Sequence, residues 1–284
     1  MVSKFAVQSI PGLQLAYIRQ LMAGGLFVLF FLLVKKHSIP SKRDFRFMFV
    51  LSLLMMVMAN GLSTWGIKHL PTGLASLIGA MYPLSVVFIE WIFYGKRNVS
   101  LLTFVGFFLG LVGIGFVFYS EMFAVWNASL VFGLILSVVA MLSWSLGTVF
   151  LSRHQLETDP YHAMGWQMLM GSVMLYALSK WTHQAIPFEN VPVSAWVSIL
   201  YLALIGSVLC FIAFIYSLQV LPASIASLYA YMNPIVAMIL ASLWLKERMS
   251  FSTLIGSLVT LVGVYLVNHS IKRDRLKLPV ESEI

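Results

Sequence analysis

Apolar residues in this chain do not alternate with polar ones; they run together. Stretches almost free of charge cover roughly residues 12–34, 47–67, 73–94, 99–119 and 128–151, then 161–179, 193–216, 223–245 and 249–268. A helix needs about 20 apolar residues to cross the hydrocarbon layer of a bilayer, and all nine runs approach or exceed that length. Barrel strands alternate lipid-facing and lumen-facing residues, so continuous runs argue against a transmembrane β-barrel. The pattern predicts an all-α integral membrane protein. A shorter apolar piece, residues 1–10, precedes Pro11.

Composition narrows the class. Of 284 residues, 60% are hydrophobic and 10% charged, with a mean hydropathy of +0.92. A soluble domain carries about 25% charged residues, so a soluble enzyme is excluded, as is a disordered or fibrous chain. The length holds nine or ten spans with short loops and leaves none for a separate soluble domain. Cys210 is the single cysteine and lies in an apolar run, so no internal disulfide forms. No basic, apolar and cleavage regions follow one another at the N-terminus, so the pattern of a signal peptide is absent.

The net charge of +8 takes its meaning from its distribution. Alternate loops place Lys35, Lys36, Lys42, Arg43, Arg46, Lys96, Arg97, Arg153, Lys272, Arg273, Arg275 and Lys277 on one side, twelve basic residues. The other side has four: Lys68, Lys180, Lys246 and Arg248. The positive-inside rule makes the first side cytoplasmic and puts the C-terminal tail there. The excess charge sets topology and calls for no nucleic acid.

The chain also repeats itself. "LPTGLASLIGAMYP" from Leu70 and "LPASIASLYAYMNP" from Leu221 share seven of fourteen positions at an offset of 151. Downstream, Gly106 and Gly113 match Gly256 and Gly263 after a one-residue gap. By the loop assignment the first window enters a span running outside to inside, and the second enters one running inside to outside. The halves are inverted, the architecture of alternating-access carriers whose sites lie near the midplane. The expected division is a first repeat over 1–121, a second over 122–271, and a tail over 272–284. Pro11 matches Pro160, yet about twenty residues equivalent to 129–148 have no counterpart ahead of Met1. The expectation is a ten-helix bundle of two inverted five-helix repeats, with its first helix truncated because the natural chain starts upstream.

These features resemble the drug/metabolite transporter superfamily, EamA type. The likeness rests on the paired "LPxxxASL…P" windows and on "LWLKERMS", where Glu247 and Arg248 fit the family's Glu-Arg. "SWSLGTVF" from Ser143 is similar to the second-half echo of its opening helix motif. The first half departs from the pattern, with Lys96 where an acid is expected, and lacks the opening motif itself. The resemblance implies movement of small metabolites, commonly export of amino acids or related compounds, with no bound cofactor.

The candidate site residues come from the chain itself. Pro83 and Pro234 interrupt their spans at matched positions, and a backbone break in lipid survives where protein or a wet cavity satisfies it. Cavity lining and a packing kink are the two readings. Tyr82, Tyr229, Tyr231 and Asn233 flank the prolines, and Asn60 lies deep in its own span. Each of these could orient a substrate or bond another helix. Arg19, two turns into its span, suits a counter-ion for a substrate carboxylate or a snorkelling side chain. Trp144 with Ser143, Ser145 and Thr148, and Trp166 with Gln167, form polar-aromatic patches fit for a small-molecule pocket. Glu90 and Arg97 share a helix face and read as a local ion pair. Arg153, His154, Glu157, Asp159 and His162 read as a solvated loop without ligand spacing, so no metal is expected. The glycines of "GFFLG" at 106–110 serve packing within the bundle or a homodimer.

The expected function is a plasma-membrane secondary carrier of small organic metabolites working by alternating access, with the bilayer and a small-molecule substrate as partners. An intramembrane lipid-modifying enzyme and a non-transporting scaffold are the competing classes. No nucleophile-elbow, zinc-protease or phosphate-loop motif supports an enzyme.

Overall fold

The computed structural model describes residues 2–95, 101–124, 128–154, 156–227, 230, 236 and 251–276. All regular structure among them is helical. A short α1, Val2–Ala6, leads to α2, Gly12–Val34, then α3, Lys42–Gly66, and α4, Thr72–Tyr94. Next come α5, Leu101–Ala124, α6, Ala128–Arg153, α7, Pro160–Trp181, and α8, Val193–Val220. The turn Ala223–Ala226 is α9 and Phe251–Leu276 is α10.

Five helices, α2, α3, α4, α6 and α8, are long and apolar enough to cross a membrane. Helices α5 and α10 have apolar centres at Phe104–Gly113 and Leu254–Val267. Helix α7 is 22 residues long and buries His162, Gln167 and Ser172 along its length. The expected run 223–245 is described only at its start and at two later residues.

Helix starts follow local chemistry. Prolines 11, 71, 192 and 222 stand just ahead of α2, α4, α8 and α9, each in an extended conformation. Ser41 caps α3 by accepting from Asp44 N. Asp159 caps α7 by accepting from Tyr161 N and His162 N, with Pro160 beginning the helix.

Loops gather at two ends, as the alternation of spans requires. At one end Asp44 accepts from Thr158 N and Oγ1, at 3.0 and 2.6 Å. There Arg153 reaches Glu90 at 3.6 Å and lies over the Tyr94 ring. At the other end Lys4 Nζ donates to the carbonyls of Ile67 and Leu70. Gln14 exchanges two hydrogen bonds with the backbone of Ile186 there, at 2.9 and 2.8 Å. Arg153, at the end of α6 and exposed, thus meets Glu90, and the expected pair of Glu90 with Arg97 is not tested by this contact. Arg97 lies outside the described residues.

The most extensive packing joins α5 to α10 and α2 to α7. Gly106 faces Gly263, while a Cβ on Gly113 would stand 2.6 Å from the Gly256 carbonyl oxygen. The pairing is crosswise: the first glycine of one helix meets the second of the other. An antiparallel crossing produces that pattern, and here the glycines are those matched by the internal repeat. Gly110 abuts Met81 and Leu84, so both glycines of the GFFLG motif are used inside the chain.

Two spans contain wide π-helical turns, Ser52–Gly61 in α3 and Leu204–Leu209 in α8. At the repeat offset of 151, the first segment maps onto 203–212 and so contains the second. Nothing in residue type announced them. A third wide turn, Phe30–Val34, ends α2.

Candidate functional site

Helix α4 is broken where proline dictates. Its upper segment stops at Ala80, Met81 forms a turn, and Tyr82 opens a second segment with Pro83 in its first turn. Proline is tolerated there because a first-turn amide has no intrahelical partner to lose. Pro83 is buried, and Tyr82 reaches across to α6, donating to Thr148 Oγ1 at 3.0 Å. Thr148 in turn donates to Trp144 O at 2.8 Å.

Trp144 faces α8. Its ring meets Phe211 edge-on at 5.7 Å and lies tilted against Phe214 at 5.2 Å. Met55, Met56, Met164 and Met168 belong to the same cluster, with Phe27 and Phe31 of α2. Unbranched thioethers beside aromatic rings give an apolar surface that can repack around different shapes.

Next to this cluster lies a polar junction of α2, α3 and α7. Arg19 is 7% exposed, and its Nη2 donates to Asn60 Oδ1 at 2.5 Å. Asn60 spends its amide on Met55 O at 3.3 Å, inside the wide turn. Gln20, 2% exposed, donates from Nε2 to Met56 O at 3.1 Å. Ser52 donates to Gln167 O at 2.7 Å. Thus Ser52, Met56 and Asn60, spaced four apart on α3, each carry a polar link to a neighbouring element. The wide turn helps because i→i+5 spacing loosens the carbonyl ladder and lets side chains bond Met55 O and Met56 O.

Among the described residues three buried polar atoms of α2 and α7 have no hydrogen-bond partner: Arg19 Nε, Gln20 Oε1 and Gln167 Oε1. Gln167 is 1% exposed. Such groups are rare in folded proteins, and each unmade bond costs about 1–3 kcal/mol. A charge at membrane depth adds about 2.5–3.5 kcal/mol on insertion scales. Among the described residues Arg19 has no carboxylate partner. Space is tight alongside: a Cβ on Gly171 would lie 2.8 Å from Gln20 Oε1 and collide with Met56.

The structure therefore joins Arg19 directly to Asn60 and puts Gln167 on the same face of α3. Tyr82, Pro83 and Trp144 belong to the adjoining α4–α6–α8 contact. Tyr229, Tyr231, Asn233 and Pro234 lie outside the described residues. Gln20 was not singled out from sequence, although a second polar residue beside Arg19 in an apolar run was signal enough.

His162 corrects the loop reading. It lies in the first turn of α7, 1% exposed, stacked on Phe31 at 5.4 Å. Its Nε2 accepts from Trp166 Nε1 at 3.0 Å, which engages the Trp166 indole N–H at this end of the bundle. The cause is local: Asp159 and Pro160 start the helix, which turns the next residues inward. Among the described residues no three His, Cys, Asp or Glu side chains cluster as metal ligands would.

Comparison with known proteins bears on this geometry. The sequence pattern of the EamA-like transporter family matches residues 1–119 and 131–269. An uncharacterized transporter of Bacillus subtilis, YoaV, is 28% identical over 96% of this chain and 92% of its own length. An uncharacterized inner membrane transporter of Escherichia coli K12, YedA, is 30% identical over 85% of this chain and 76% of its own. A protein crystal structure superposes with a TM-score of 0.67 over 96% of this chain and 95% of that one, at 16% identity. That last likeness shows the fold alone.

Proposed function

The chain belongs to the EamA-like transporter family and is an integral membrane transporter, and on that premise we propose a secondary carrier that exports small organic metabolites by alternating access. One observation carries the reading. Buried polar atoms on Arg19 and Gln20 of α2 and on Gln167 of α7 lack partners among the described residues, and these three residues contact α3 at Asn60, Met56 and Ser52 respectively. A scaffold has no use for polar groups left unpaired at depth, and an enzyme would need an acid, base or metal set beside them. A ligand that fills and empties such a junction accounts for both the polarity and its incompleteness.

In this reading substrate sits between two inverted repeats, 1–121 and 122–271, against Arg19, Asn60, Gln167, Tyr82, Pro83 and Trp144, with Tyr229, Asn233 and Pro234 completing the site. The tail, 272–284, lies in the cytoplasm, on the side rich in basic loops. Rocking of one half against the other exposes the site to each side in turn. Purified protein in liposomes, offered a labelled metabolite panel, tests the proposal. Saturable flux of at least one member supports it, and empty-liposome rates for every member would sink it.

A further inference from the structure

His162 is held in a way that admits only one of its forms. It is 1% exposed, in the first turn of α7. An indole nitrogen always carries its hydrogen, and Trp166 Nε1 gives it to His162 Nε2 at 3.0 Å. That ring nitrogen therefore keeps its lone pair, and the ring's own hydrogen sits on Nδ1. Among the described residues Nδ1 has no hydrogen-bond partner. The one place left for a further proton is the nitrogen that Trp166 already occupies.

The same ring ties separate elements together. It stacks on Phe31 of α2 at 5.4 Å and meets His37 of the α2–α3 linker at 5.9 Å. His37 is folded back onto Phe31, ring to ring at 5.1 Å, with its backbone N donating to Phe31 O at 3.0 Å. The chain makes that return through Lys36, whose left-handed backbone (φ 54°) is uncommon for any residue but glycine. Trp166 in turn meets Phe45 of α3 edge-on at 5.2 Å.

Other ionisable groups on the surrounding elements are already engaged or face water. Asp159 accepts from the His162 backbone N at 3.2 Å, which puts a carboxylate at the start of α7. Asp44 of α3 is bonded to Thr158, and at the end of α6 Arg153 meets Glu90 while His154 lies against Phe47 at 4.0 Å. From α8 comes neutral Gln219, 3.3 Å from the Tyr161 hydroxyl. Lys35, Lys36, Arg43, Arg46 and Glu157 are exposed.

We infer that His162 is a proton-binding site that fastens this end of the bundle only while it is empty: a proton entering at Nε2 breaks the bond from Trp166 and releases the start of α7 from the end of α2. The imidazolium has two donors, and Nε2–H would then point at another N–H. A charge on His37 would repel it at close range as well. The Phe31 face and the Asp159 carboxylate attract the cation, which draws a proton in, but neither restores an acceptor to Trp166. On the carrier reading Phe31 and His37 belong to one half and His162 to the other, so protonation unfastens the halves at this end. The proton site itself does not depend on that reading, and its test reads no flux.

The protein, with an NMR-active nitrogen isotope in its tryptophan and histidine rings, is titrated in detergent from about pH 8 to about pH 5. The Trp166 indole signal, identified by its loss in W166F, should move with a single midpoint shared by one histidine ring. In H162Q it should stay put, since glutamine can accept from the indole without titrating. Hydrogen exchange of residues 28–37 and 160–166, corrected for its intrinsic dependence on pH, should quicken by roughly fivefold or more over the same interval in wild type and not in H162Q. An indole signal that does not titrate, or that titrates equally in H162Q, would overturn the proton site. Titration that survives in H162Q and vanishes in H37Q would transfer it to His37. Titration without quickened exchange would overturn the release. If H162Q does not fold, wild type decides alone: a midpoint shared by indole and histidine supports the inference, and an indole that titrates apart from every histidine ring overturns it.

Discussion

The Tyr82 hydroxyl donates to Thr148 Oγ1 at 3.0 Å, fastening the lower half of the broken helix α4 to α6. Tyr82→Phe removes the donor and keeps the ring. Interhelical hydrogen bonds in membranes average about 0.6 kcal/mol and reach about 1.7, and Thr148 keeps its own bond to Trp144 O. The variant should lose no more than that in detergent unfolding. A larger loss would mean that the hydroxyl holds the break itself in shape.

Asn60→Asp places a permanent carboxylate against Arg19. The internal ion pair should raise the thermal midpoint while reducing flux at least tenfold, because the site is already filled. Unchanged flux in a stabler protein would show that Arg19 does not meet the substrate.

Gly263→Ala and Gly110→Ala separate two kinds of close approach. At Gly263 a methyl group meets Gly106 O and, at 2.6 Å, Gly110 N, both of them backbone. At Gly110 it meets the Met81 thioether at 3.0 Å, a tip that can swing away. Overpacking that forces backbone apart costs about 1–3 kcal/mol, so the first variant should be clearly destabilised and the second nearly neutral. Equal midpoints would contradict the crossing.

Pro83→Ala returns a backbone donor to the break in α4. Folding should be kept, with a midpoint equal to or above wild type, while flux falls several-fold as the turn at Met81 straightens. Wild-type flux would refute a role for the proline.

His69 gives a pH signature at the opposite end from His162. Its pKa is lowered by burial first, then by Lys68 and Lys4 nearby, while its Nδ1 lies 2.6 Å from Ser129 Oγ. The unfolded chain, with histidine near 6.5, then binds the proton more readily than the folded one. Stability should therefore be complete above about pH 6.5 and decline as pH falls through the window below it. His69→Gln should flatten that part of a midpoint-against-pH curve; an identical slope would assign the effect to other groups.

Much of this was legible from residues in order. Pro11, Pro71, Pro160 and Pro192 mark helix starts because proline fixes the backbone ahead of a helix and has no amide to lose. Arg19 was visible as a charge in an apolar run, and Pro83 as an interruption. Their partners were not, because partnership depends on the angular phase of a different helix. Asn60 meets Arg19 across 41 residues of chain, and the wide turn between Ser52 and Gly61 alters that phase without any signal in composition. His162 was misread for a simpler reason: Asp159–Pro160 is a helix start, and a residue two places on lies inside the first turn.

The wide turns have a consequence for how α3 can be altered. One residue rotates an α-helix by about 100°, so extra residues taken up in a turn act as a phase shifter. They decide which side chains beyond them look inward. Deleting a single residue between Ser52 and Asn60 would leave the hydropathy of α3 almost untouched, yet it would swing Asn60 away from Arg19 of α2. By composition such a chain would still be a membrane protein with the same spans. It would have lost the alignment that lets one of them hold Arg19.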